Sequence, residues 1–259
     1  MKVVLMFILL FILKTIKSYP RKGIPALPTP LPPAMESDII LAPGGYKGVY
    51  MLGICHYLKN NFSISNKSIL GISCGSFNAL FMRLNPELDN QYLQILFGLE
   101  HTKKLPMHRF VSSVVNTIQK KFVYEDFDFQ QTNIGVTTYK GLEFYNEFSS
   151  LGDVINCCCS SSFIPFLTHR ELIFFYKNKV TFDGAIYYKR LKKRIHKKTL
   201  LITSSMFGRF NEKIMQGMQK PTCSYYELYL KGYHDARNHH KYFSTYFTPS
   251  LVPVHNLLS

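Results

Sequence analysis

From Asp38 onward the chain alternates short, continuous apolar runs with longer stretches of helical period. Asp38–Ala42 reads as a buried strand, Tyr46–Lys59 as a helix, Ser68–Ile72 as a second strand and Cys74–Leu84 as a second helix. Strand–helix–strand–helix at this spacing predicts right-handed crossovers, hence an α/β fold with a mainly parallel central sheet flanked by helices. Further helices are expected at about 87–98 and 107–121. Strands follow at Asn133–Thr138 and Leu142–Tyr145, divided by a turn at Lys140-Gly141. Gly152–Ser161 reads as helical, and Leu172–Tyr176, Val180–Phe182 and Leu200–Thr203 as short strands. The amphipathic stretch Cys223–His239 predicts a helix packed on the sheet.

Upstream the pattern changes twice. Lys2 precedes eleven consecutive apolar residues, Val3–Leu13, and Lys14 and Lys17 follow them. That run falls short of the roughly 20 residues a spanning helix needs. Residues 1–18 therefore read as a secretory signal ending near Ser18 or as an uncleaved anchor, and a native start at Met35 would remove them altogether. Six of the thirteen prolines then fall between Pro20 and Pro33, so residues 19–36 read as an extended linker. The folded domain is expected over 37–259. The chain is accordingly expected at a membrane, by the secretory pathway or inside the cell according to which start is used.

Composition narrows this picture. Hydrophobic residues make up 46% and charged ones 18%, which excludes a disordered chain. The net charge of +15 favours an anionic partner, either nucleic acid or a membrane surface. Seven of the ten residues Lys189–Lys198 are lysine or arginine. This run is expected to connect two strands near the site, where it would face anionic head groups; a nuclear-localisation or nucleic-acid patch is the alternative. With no nucleic-acid-binding motif beside it, the membrane is the favoured partner. The six cysteines, three of them adjacent at Cys157–Cys159, form no spaced disulfide or zinc pattern and read as reduced, buried thiols.

The chemistry begins at Gly71-Ile72-Ser73-Cys74-Gly75, a G-x-S-x-G set between a predicted strand and helix. Small flanking residues let a tight turn present the Ser73 hydroxyl, and the helix N-terminus favours negative charge beside it. One β-α-β unit earlier, Pro43-Gly44-Gly45-Tyr46-Lys47-Gly48 lacks both the P-loop ending and the G-x-G-x-x-G spacing. With a serine nucleophile nearby, the amides of Gly44, Gly45 and Gly48 become candidates for an oxyanion hole. Asp183-Gly184 follows a β-branched and aromatic stretch, so its carboxylate is placed at a strand end as a candidate base.

As a set these blocks resemble the patatin-like phospholipase family. The glycine loop with its L-G-x-x-x-x-L helix, the elbow around Ser73 and Asp183-Gly184-Ala185 match in order, and Cys157–Leu167 is similar to the family's small-residue helix ending in Ser-x-x-x-Pro. The resemblance covers about residues 38 to 205. It implies a three-layer fold, a Ser73–Asp183 dyad without histidine, acyl-ester hydrolysis of membrane lipids, and no metal or other cofactor. Two features depart from the family: Pro43 replaces the loop's first glycine, and a basic segment replaces the Asn-x-Pro turn after the aspartate. Lys47 is expected to shape the loop or to touch a lipid phosphate. A catalytically silent lipid-binding protein of this fold is the alternative. A Ser-His-Asp triad using one of His196, His234, His239, His240 or His255 is another; the three histidines from His234 to His240 read as a solvated helix end.

Overall fold

The computed structural model describes residues 36–210 and 217–250. The segment 1–18, all of the linker 19–36 but its last residue, and His255 lie outside these described residues. Among the described residues no helix is long and apolar enough to cross a membrane.

The chain runs β1 (Ile39–Leu41), α1 (Gly48–Asn61), β2 (Ile69–Ile72), α2 (Cys74–Arg83), α3 (Asp89–Gly98), α4 (Met107–Lys121), β3 (Thr132–Thr138) and β4 (Gly141–Tyr145). It continues with α5 (Leu151–Ser161), β5 (Phe174–Tyr176), β6 (Lys179–Phe182), α6 (Ala185–Lys192), β7 (Leu200–Ile202), α7 (Tyr225–Asn238) and α8 (His240–Phe243). The central sheet is mixed, in the order β5-β6-β3-β2-β1-β7, with β4 on the remaining edge of β3. Strands β3, β2, β1 and β7 are parallel, whereas β4, β5 and β6 pair antiparallel. The parallel strands are buried on both faces, which is why they read as continuous apolar runs rather than alternating ones. Ile39 and Leu41 join the larger core cluster, and Ile40 and Ala42 the smaller one on the opposite face.

One feature of the register decides where the site lies. β2 pairs with Thr132–Gly135 of β3, while β6 pairs with Thr137 and Thr138. β4 pairs with β3 over the same stretch, so β2 and β6 must share the other edge, end to end. Because β2 runs parallel to β3 and β6 antiparallel, their C-terminal ends converge there. Ser73 follows one and Asp183 the other.

Two expectations change. The basic run after Asp183 is not a strand-to-strand loop: its first part forms α6. Tyr188 and Leu191 are buried at helical spacing, and the lysines and arginines between them favour helix intrinsically. Asp183 Oδ1 also accepts the Ala185 amide (2.8 Å) at the positive end of the helix. The strand expected from Leu172 begins only at Phe174, because Leu172 and Ile173 belong to the preceding loop. By contrast α7 stays within its expected bounds, started by a capping box in which Ser224 Oγ accepts from the Glu227 amide and Glu227 from the Ser224 amide.

Candidate active site

Ser73 occupies φ 55°, ψ −128°, a conformation that side chains rarely adopt. The turn is forced by packing. A Cβ on Gly75 would lie 2.2 Å from the Leu41 carbonyl oxygen, so the start of α2 approaches β1 more closely than any side chain allows. The Ser73 amide donates to Ser161 Oγ (2.8 Å), and Ser161 Oγ donates to the Gly135 carbonyl (2.6 Å), which ties the elbow to α5 and β3.

The same elements hold Asp183. Its amide donates to the Phe163 carbonyl (2.9 Å), the Gly184 amide to the Ser161 carbonyl (2.8 Å), and Thr137 Oγ1 to the Asp183 carbonyl (2.9 Å). Ser73 Oγ then donates directly to Asp183 Oδ2 at 2.9 Å. Both residues are buried. Burial pushes the Asp183 carboxyl up to about 7, against the pull of the Ala185 amide and the Ser73 hydroxyl. A carboxylate poised there can take a proton and return it near neutral pH.

The glycine loop lies beside this pair. Gly45 has φ +57°, and a Cβ on it would sit 2.4 Å from the Gly217 carbonyl oxygen, so both the turn and the space require glycine. The Gly44 and Gly45 amides reach the Cys74 thiol, next to Ser73. With the Gly75 amide they oppose the burial and the Asp183 charge that push that thiol up to about 12. Gly48 differs from the expectation. Its N–H donates to the Gly45 and Tyr46 carbonyls, closing the 3-10 turn Gly45–Lys47 that precedes α1, so it is already engaged and is no oxyanion donor. Lys47 lines the site with its ammonium 5.4 Å from the Phe210 ring centroid, and burial lowers its pKa.

Ser73, Asp183, Gly44 and Gly45 all line one cavity of about 680 Å³. Its far walls are apolar: Tyr92 and Leu96 come from α3, and Phe110, Val114 and Ile118 from α4. No histidine among the described residues lines it. His196 and His234 are exposed, His239 stacks on Phe207, and His240 stacks on Phe62 with its Nδ1 2.8 Å from the Tyr57 hydroxyl. The helix end is therefore partly packed rather than simply solvated.

Sequence reasoning named Ser73, Asp183, Gly44 and Gly45 from separate local patterns, and the structure brings them together at one cavity. That reasoning missed the positioning roles of Ser161 and Thr137, and the thiol of Cys74 among the loop amides. For Ser161 a signal existed, since it opens the S-x-x-x-P stretch Ser161–Pro165. No protein-family model matches the chain, and no curated protein matches it significantly.

Proposed function

We propose that the protein is a lipid acyl hydrolase of the patatin-like type, with the three-layer fold of that family, acting at membrane surfaces. The observation that carries this reading is a strained elbow serine hydrogen-bonded to a buried aspartate in an apolar cavity. Ser73 Oγ attacks the ester carbonyl carbon and its proton passes to Asp183 Oδ2. The oxyanion is held by the Gly44 and Gly45 amides, joined by the Cys74 amide at the N-terminus of α2. Asp183 returns the proton to the departing alcohol as the ester C–O bond breaks. Water then attacks the acyl-Ser73 ester, giving a proton to Asp183, and the fatty acid leaves as Ser73 is regenerated. The apolar cavity takes the acyl chain, and the cationic residues after Asp183 face anionic head groups.

The test is hydrolysis of p-nitrophenyl esters of increasing chain length and of phospholipid vesicles. Each methylene the cavity buries adds about 0.8 kcal/mol, so kcat/KM should climb about fourfold per carbon until the cavity is filled. Activity that survives Ser73→Ala would overturn the mechanism. Lipid binding without turnover in the wild type would make this a lipid-binding protein instead.

A further inference from the structure

Between α5 and β5 the chain makes a loop whose ends meet. The Phe163 and Phe174 rings lie 5.5 Å apart, and His169 packs against both, at 5.5 and 5.2 Å. A surface loop closed on its own side chains in this way is a compact Ω-type loop, a kind often used for function. Inside it Thr168 Oγ1 accepts from the Ile164 amide and donates to the Ser162 carbonyl, both at 2.8 Å. The Leu167 and Thr168 amides donate to the Ile164 carbonyl, both at 3.1 Å.

These bonds hold Phe166 at φ +60°, an outlier for a bulky residue. The strain does not serve burial. Phe166 is 43% exposed, and Leu172 and Ile173 in the same loop are 54% and 48% exposed. Backbone strain that keeps an aromatic side chain in water gains nothing for stability and points to a partner that covers it.

The surroundings indicate which partner. Ile164 and Pro165 of the loop line the cavity, as do Ile186 and Lys189 of α6, and Ile186 is itself partly exposed. Arg170, Lys189, Arg190 and Lys193 are exposed on the loop and on α6 and the residue after it, with Glu171 the one acidic residue of the loop. A second copy of this chain would set these cations against their own kind. An anionic bilayer offers apolar chains for the three hydrophobic residues and negative head groups for the cations.

We propose that the loop Phe163–Phe174 is a preformed membrane-docking element, in which Phe166, Leu172 and Ile173 enter an anionic leaflet beside the opening of the cavity. This rests on the reading of the cavity as a lipid site and names the surface through which lipid reaches it. Docking is measured on the full-length Ser73→Ala chain by co-sedimentation with phosphatidylcholine vesicles with and without phosphatidylserine, so that it is separate from turnover. The expected result is binding that phosphatidylserine strengthens and that Leu172→Asp and Ile173→Asp each weaken by about tenfold. Thermal unfolding checks that these variants stay folded, and in the Ser73-containing chain they should leave soluble-ester hydrolysis unchanged. The apolar run Val3–Leu13 can supply a basal binding common to all variants, so the readout is the phosphatidylserine-dependent component, and its persistence at full strength in Leu172→Asp/Ile173→Asp overturns the proposal. So does a failure to bind vesicles, or a self-associated chain that Leu172→Asp converts to monomer. If wild type hydrolyses no ester yet docks through this loop, the hydrolase reading fails and the docking surface stands.

Discussion

Two clusters of buried polar side chains differ in how completely they are satisfied. Where α1 meets α3 and α7, Lys59 Nζ donates to the Phe81 carbonyl (3.1 Å), the Leu84 carbonyl (2.6 Å) and Asp89 Oδ1 (2.5 Å). Nearby, His56 is bonded at both ring nitrogens, to the Tyr229 hydroxyl and to Asn60 Nδ2. All three donors of Lys59 are used, although burial pushes Lys59 and Asp89 towards their neutral forms. The Ser73–Asp183 pair is built the other way. It has one side-chain bond between the partners, a strained backbone and a face open to a cavity. A saturated cluster has no valence left for a ligand, so it holds helices together. An unsaturated one keeps its capacity for a reacting group.

The contrast is tested first at its most sensitive points. Asp183→Asn should lower kcat on a soluble ester by about 10²–10⁴-fold, the usual worth of a general base, with little change in unfolding temperature. Asp89→Ala should do the reverse. It leaves Lys59 as an uncompensated buried charge and should cost about 3–5 kcal/mol in denaturant unfolding, with activity per folded molecule retained. Loss of catalysis together with full stability in Asp89→Ala would dissolve the distinction.

How far each cluster was legible follows from the range of its interactions. The elbow, the glycine loop and Asp183 were readable because each is a local pattern of small residues at a strand end. Their meeting was not, since it depends on β6 abutting β2 along one edge of β3, a pairing between residues far apart in sequence. Gly48 looked equivalent to Gly44 and Gly45, and only the 3-10 turn it closes shows that its amide is taken. The run after Asp183 read as a loop because of its charge, yet two buried side chains, Tyr188 and Leu191, were enough to seat a helix. In α4 the apolar stripe is the same whether it faces a packed core or a cavity, so Phe110 and Val114 carried no sign of the pocket.

Titration separates the clusters by opposite readouts. In the proposed mechanism Asp183 must be ionised to accept the serine proton, so kcat/KM should rise with pH through about 7 and then level off. In the saturated cluster the readout is stability. Burial and the Lys59 charge depress the His56 pKa to about 4, below its ordinary 6.5, so the folded state holds it neutral. That contribution is complete above pH 6.5 and is lost as pH falls towards 4, at most about 3 kcal/mol. Asp89 opposes it: its carboxyl is raised to about 6, so its contribution grows as pH falls through that value. The His56 component is therefore read as the difference between wild type and His56→Gln across that window. An identical pH dependence in the two would remove His56 from the account.

The smallest effect bears on whether the elbow stores strain. Ser73→Ala and Ser73→Gly both delete the hydroxyl and its bond to Asp183, so their difference reports the backbone alone. At φ 55°, ψ −128° alanine keeps a conformational cost of about 1–3 kcal/mol that glycine escapes. Glycine gives back about 0.4–1 kcal/mol through the greater freedom of its unfolded chain. The glycine variant should therefore be the more stable by about 1 kcal/mol in denaturant unfolding. At an unstrained position the sign is opposite, because only the unfolded-chain term remains. A glycine variant less stable than the alanine one would mean that the elbow is relaxed, and the contrast with the saturated cluster would rest on hydrogen bonding alone.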